Sequence, residues 1–290
     1  MARRRARRPS HRRGDGVEVR TAISELDLRR ARTVDDALAM VSDGRTPIAG
    51  ATDLFVALNF GTLASRRFVD IWALDDLRYI VARDDTLVIG ALATYTDAIR
   101  SPVVAERLPM LIDASRQVGG PQIQNRGTFG GNIANASPAG DSLPVFSAVE
   151  ALVVLRAAGG ERRVRFNEFY TGYRATVMKP GELIVAIEVP RVLGQQWFRK
   201  VGTRAAQAIS KVVAAGVRGD DVRFSLGSVS PTTIRALAAE QILNRSGDIA
   251  AASTALANGL APIDDVRSTA DYRRRVSANL LKRFWSDTAG

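Results

Sequence analysis

The sequence predicts an α+β chain of two domains, and three observations carry that reading. Helical and strand-like segments alternate up to about residue 190. A stretch from Pro190 to Gln196 then breaks the pattern. Beyond it, three strand-like segments follow one another directly and three helical ones come after them. The length of 290 residues suits two domains, and the hydrophobic fraction of 46% is that of a water-soluble globular chain. The expected division is a basic tail at 1–16, a first domain at 17–190 and a second at 191–290.

Taken in order, Thr33 opens a helix, because its hydroxyl can cap the first turn and Asp35 and Asp36 suit the positive end of the dipole. Val34, Leu38 and Val41 stripe one face, and Gly44 ends it. Pro47 to Gly50 reads as a short buried strand, after which Thr52 or Asp53 can cap a second helix. Phe68 to Ile71 and Thr86 to Ala93 are strand-like, Thr94 to Asp97 marks a helix entry, and Pro109 to Val118 is helical. Asp141 to Glu150 predicts a helix and Ala151 to Arg156 a buried strand, with a hairpin at Gly159-Gly160 leading to Val164. The aromatic-rich segment Asn167 to Pro180 precedes a strand at Glu182 to Val189. In the second domain, Trp197 to Arg204, Ala208 to Val217 and Val222 to Val229 predict an antiparallel meander. Helices over Thr232 to Leu243, Asp248 to Leu260 and Ala270 to Trp285 complete it.

One stretch has a different character: Val118 to Pro144, VGGPQIQNRGTFGGNIANASPAGDSLP, in which glycine, asparagine and small residues recur. Loops of this length inside a compact domain are usually functional. A turn such as Thr128 to Asn132 can aim successive N–H groups at an anion. Upstream, Ala49 to Asp53 is a small-residue turn at a helix start, a geometry that suits a pyrophosphate.

Composition narrows the chemistry. The chain has no cysteine, and its one histidine is His11 in the tail, so a Cys nucleophile, a His base or a thiolate-bound cluster is excluded. A chain so poor in reactive side chains lets a cofactor do the reaction. The net charge of +11 owes much to residues 1–16, which hold seven Arg and one Asp and leave +5 behind. No apolar segment follows that tail as a secretory signal requires, and no run approaches the ~18 apolar residues of a membrane span. The tail is read as disordered and cytoplasmic, without a specific nucleic-acid role.

Thr128-Phe129-Gly130-Gly131-Asn132 followed by Asn135 to Asp141, together with Pro47 to Asp53, resembles the two flavin-binding segments of a known family. These are the FAD-carrying medium subunits of molybdenum hydroxylases, among them xanthine dehydrogenases and aerobic carbon-monoxide dehydrogenases. The resemblance continues through Gly227 to Arg235, Ala239-Glu240 and Pro262 to Ser268, so it covers nearly the whole chain. It implies a PCMH-type FAD-binding domain of two α/β subdomains, then a three-stranded antiparallel sheet with a helical bundle. It also implies non-covalent FAD held through backbone N–H groups and Thr hydroxyls of Ala49, Gly50, Ala51, Thr52, Asp53, Thr128, Gly130, Gly131 and Asn132. By the same resemblance Phe129 lies beside the flavin ring, with core packing as its alternative. Asp141 bonds the sugar chain, or else simply caps a helix. Lys200 lies near the ring, where positive charge favours reduced flavin, or is a solvated strand lysine. Ala51 stands where the family usually has a second glycine, at little cost if its φ is negative.

No catalytic side chain is expected on this chain. The molybdenum cofactor and [2Fe-2S] clusters are expected on a molybdopterin subunit and an iron–sulfur subunit, with NAD or another acceptor taking the electrons. Thr94 to Asp97, Gly140 to Pro144 and Phe169 to Ile184 look closest to xanthine dehydrogenases. Two alternatives stand beside this reading. One is a self-contained flavin oxidase acting directly on a small substrate, which commonly anchors flavin through a His or Cys that this chain lacks outside its tail. The other is nucleic-acid binding resting on the tail alone.

Overall fold

The first unit is a small parallel α/β layer: β1 (Asp27–Arg30), α1 (Val34–Ser42), β2 (Thr46–Ile48), α2 (Thr52–Asn59) and β3 (Arg67–Asp70), with strand order β1-β3-β2. The computed structural model describes residues 25–289; the tail 1–16 and His11 lie outside them. The hydroxyl of Thr33 accepts from Asp36 N at 3.1 Å, and α1 buries Val34, Ala37, Leu38 and Val41. Strand β1 has no apolar alternation because all four of its residues are exposed, which is why the sequence pattern does not show it.

The second unit holds β4 (Ile80–Arg83) and β5 (Thr86–Gly90), then α3 (Tyr95–Arg100), α4 (Pro102–Arg107), α5 (Pro109–Arg116), α6 (Pro121–Gln124), α7 (Phe129–Asn135) and α8 (Leu143–Ala148). It continues through β6 (Leu152–Ala157), β7 (Gly160–Arg165), the small ribbon β8 (Tyr170–Gly172) with β9 (Ala175–Thr176), and β10 (Leu183–Val189). Its five-stranded sheet runs β4-β5-β10-β6-β7 and is antiparallel throughout, so this unit lacks the parallel crossovers of the first. The stretch Val118 to Pro144 is not the long open loop its composition predicts. It folds into α6, α7 and the start of α8, since Pro121 and Thr128 each begin a helical turn.

The third unit is a sheet of β11 (Gln195–Val201), β12 (Val212–Arg218), β13 (Val222–Gly227) and β14 (Ile234–Arg235), backed by α9 (Leu237–Ser246), α10 (Ile249–Gly259) and α11 (Ala270–Asp287). The sequence predicts three of these strands; the fourth is two residues long and too short to show a period.

Alternation along single strands joins the units. In β5, Leu87 and Ile89 face the helices α3 to α8, whereas Val88 faces the first unit. In β12, Val213, Ala215 and Val217 pack toward the second unit, while Val212 and Ala214 join Trp197, Phe224 and Phe284 under the C-terminal helices. Each fully buried Val, Leu or Phe contributes about 1.5–3 kcal/mol, and β12 is buried on both faces. The second and third units therefore share one continuous apolar interior.

Candidate functional site

A cleft of about 490 Å³ opens between the first and second units, within the usual range for a small-molecule site. Its walls include Ala49 to Asp53 at the β2–α2 turn, and Thr128, Gly130, Gly131 and Asn132 at the start of α7. The structure thus brings the two small-residue segments together. They meet at Gly50, where an added Cβ would lie 1.7 Å from the carbonyl oxygen of Arg126, so only glycine allows the approach.

The two segments offer different things. The N–H groups of Gly50, Ala51, Thr52 and Asp53 have no acceptor among the described residues, and they stand at the positive end of α2. Four of the second segment's five N–H groups, those of Phe129 to Asn132, are already used, contrary to the anion-binding turn expected there. Phe129 N donates to Ala93 O, Gly130 N to Ala91 O, Gly131 N to Thr128 Oγ1 and Asn132 N to Thr128 O, at 2.9–3.1 Å. This segment supplies close approach and a hydroxyl instead. Asn132 is fixed by Ser142 Oγ donating to its Oδ1 at 2.8 Å, and Asn135 by Arg174 Nη1 at 2.7 Å.

Ala51, and not Thr52 or Asp53, is the N-cap of α2, and no side chain caps that helix. Its φ of 61° lies in the left-handed region, which corrects the expectation of a negative φ. Asp53 lies open within the cleft; surrounding protein raises its carboxyl above the ordinary value, against the pull of Arg174.

Phe129 is fully buried, with its ring edge-on to Tyr95 at 5.1 Å and to Phe146 at 5.7 Å, and it does not line the cleft. It packs within the apolar cluster of the second unit. Asp141 and Lys200 are also off the cleft lining, yet the fold pairs them: Lys200 Nζ donates to Asp141 Oδ2 at 2.6 Å and to Gln117 O at 2.9 Å. Both side chains are buried, and Asp141 Oδ1 has no partner, an unsatisfied acceptor that suits a ligand hydroxyl. Burial raises the Asp141 carboxyl to about 6 despite Lys200.

Residues the sequence reading passed over complete the walls. Phe68, Ile71, Leu183 and Ile184 give an apolar floor. Tyr95 lines the cleft, its phenol pushed well up by burial and by the charges of Asp141 and Asp53. Glu182 is gripped by Arg162 at 2.6 and 2.8 Å, and that ion pair holds its carboxyl below the ordinary range. A second hollow, of about 320 Å³, lies over the five-stranded sheet, and four of its charged residues form the ion pairs Arg156–Asp35 and Arg163–Glu188.

These features of the cleft fit FAD: N–H groups without an acceptor among the described residues at a helix start for phosphate, glycine-permitted close approach and an apolar floor. Two family models agree. The FAD binding domain in molybdopterin dehydrogenase matches residues 24–192, and the CO dehydrogenase flavoprotein C-terminal domain matches residues 196–288. The chain is similar to the glyceraldehyde dehydrogenase medium chain of Sulfolobus acidocaldarius, with 30% identity over 91% of this chain and 99% of that one. It is also similar to the putative xanthine dehydrogenase FAD-binding subunit of Escherichia coli K12, with 31% identity over 89% and 94%. Among solved structures, the carbon monoxide dehydrogenase of Hydrogenophaga pseudoflava superposes with a TM-score of 0.85 at 30% identity, covering 91% of this chain and 99% of that one. No helix among the described residues is long and apolar enough to cross a membrane. The chain belongs to the FAD-binding subunits of the molybdenum hydroxylase family, and its cofactor is FAD.

Proposed function

We propose that this chain is the electron-transfer subunit of a three-component hydroxylase, working beside an iron–sulfur subunit and a molybdopterin subunit. FAD, when bound, supplies the two-electron chemistry that links cluster-borne electrons to NAD or another acceptor. The chain's own residues bind and orient it without covalent attachment. Gly50 to Asp53 would take the pyrophosphate, Thr128, Gly131 and Asn132 the adjoining sugar chain, and the apolar floor would exclude water. The observation that carries this reading is that four residues whose N–H groups have no acceptor among the described residues line one cleft together with Gly130 and Gly131.

Within the family, the xanthine dehydrogenase-like assignment rests on Thr94 to Asp97, Gly140 to Pro144 and Phe169 to Ile184. Five residues from these segments, Tyr95, Met178, Glu182, Leu183 and Ile184, line the cleft. Iron–sulfur clusters belong on another chain, because thiolate ligation needs cysteines that this one lacks. Native purification with subunit identification and metal analysis tests the proposal. Co-purifying iron–sulfur and molybdenum subunits and xanthine-dependent NAD reduction are the expected result. An isolated chain that oxidises xanthine or an aldehyde unaided overturns it in favour of a self-contained oxidase.

A further inference from the structure

We propose that Trp72 is a positioning residue for the cofactor: stacked against the guanidinium groups of Arg78 and Arg126, it fixes the spacing of the two segments that wall the cleft. The inference rests on FAD occupying that cleft.

Trp72 lies just beyond the end of β3, in the chain leaving the first unit. The Arg126 guanidinium carbon sits 3.7 Å from its ring centroid and that of Arg78 sits 4.2 Å away, both well within cation–π range. Arg78 is locked in place, donating to Leu92 O at 2.9 Å and to Trp72 O at 2.7 Å. The Arg126 side chain makes no hydrogen bond or ion pair with any described residue, so its stack on Trp72 is what anchors it.

The backbone of Arg126 is where the two cofactor segments touch, through its carbonyl against Gly50. Its neighbours are held from the other side: Thr96 Oγ1 donates to Asn125 Oδ1 at 2.6 Å, and Tyr95 N to Gly127 O at 3.3 Å. Helix α3 thus fixes the loop within the second unit, and Trp72 ties the same loop to the first. Trp72, Arg78 and Arg126 do not line the cofactor cleft. Trp72 and Arg78 instead line a separate hollow of about 530 Å³ with Thr94, Thr96 and Asn125. Any effect of these side chains on FAD must therefore pass through the spacing of the walls.

The test is calorimetric titration of FAD-free protein with FAD, using wild type, Trp72→Ala, Trp72→Phe, Arg126→Ala and Arg126→Lys. Trp72→Ala removes both cation–π contacts and should weaken binding about tenfold, whereas Arg126→Ala removes one and should weaken it about two- to fivefold. Trp72→Phe keeps a ring face and should return to within about threefold of wild type. Arg126→Lys keeps the charge but not the planar stack, and should remain weak. A merely structural role would lower the melting temperature and leave the affinity of the folded fraction unchanged. Arg126 is exposed, so its alanine variant should fold and is decisive even if Trp72→Ala does not. Wild-type affinity in Arg126→Ala, or no recovery in Trp72→Phe, overturns the inference. Wild type that fails to bind FAD overturns the cofactor assignment itself, and the inference with it.

Discussion

Lys200 Nζ and Asp141 Oδ2 lie 2.6 Å apart, both buried, and together they join β11 of the third unit to the segment between α7 and α8. Lys200 also reaches Gln117 O at the end of α5, so one ammonium group ties three segments. Two residues 59 positions apart, each expected separately at the flavin, prove to be partners.

Their pairing has a pH signature. Burial raises the Asp141 carboxyl from 3.8 to about 6. A carboxyl whose folded pKa lies above its unfolded value makes folding less favourable as pH rises between the two. FAD-free wild type should therefore lose stability relative to Asp141→Asn from about pH 4 to about pH 6, and the difference should stay level above that. Thermal melts of both proteins across pH 4–8 check the sign. A relative gain with rising pH would contradict it.

Ala51 holds a left-handed conformation that costs a non-glycine residue about 1–2 kcal/mol. Ala51→Gly removes that strain but frees the unfolded chain, at a cost of up to about 1 kcal/mol. The net expectation is a gain of about 0.5–1 kcal/mol in chemical denaturation, with FAD affinity kept or raised. Loss of stability would mean the observed φ of Ala51 is not the one the folded protein holds.

The two walls should respond differently to added bulk. At Gly131 an added Cβ meets only Thr128 Oγ1, at 2.8 Å, and the residue lines the cleft. Gly131→Val should fold, with a far-UV circular dichroism spectrum close to wild type, and bind FAD at least tenfold more weakly. At Gly50 the added Cβ meets backbone 1.7 Å away, so Gly50→Ala should cost more than about 2 kcal/mol of stability as well. Equal FAD affinity in Gly131→Val and wild type would remove α7 from the binding site.

In the third unit, Arg273 is fully buried and donates to Lys211 O, Ser228 O and Asp265 Oδ1 at 2.7–2.9 Å. Arg273→Met leaves the carbonyls of Lys211 and Ser228 without this donor, while Asp265 keeps its ion pair with Arg267. It should destabilise the protein by about 2–4 kcal/mol, read as a lower midpoint in urea. A stability within about 0.5 kcal/mol of wild type would show that the two carbonyls find other donors.

The sequence showed which residues approach the ligand more clearly than how they do so. Gly50 and the start of α7 were legible because close backbone approach admits only small residues, and Thr33 and Thr94 because their caps are local. The donors of α7 were not legible as spent. The acceptors of Phe129 and Gly130, Ala93 and Ala91, follow β5 some 35–40 residues earlier, and only the folded register brings them alongside. Phe129 was ambiguous for a similar reason: the ring is apolar in either role, and its packing on Tyr95 and Phe146 exists only in three dimensions. Glu182 and Tyr95 carried no motif that tied them to a cleft. Strands β1 and β14 are too exposed or too short to show a period.

The central claim is that the cleft between the first two units holds FAD without a covalent bond, and stoichiometric cofactor analysis of the purified chain tests it most directly. Flavin absorbance at about one FAD per chain is expected, and acid should release the flavin intact, because the described residues contain no Cys or His to bond it. The cofactor-free protein should then rebind FAD in a calorimetric titration. A colourless protein with no FAD binding, or flavin that stays attached to the denatured chain, would contradict the account.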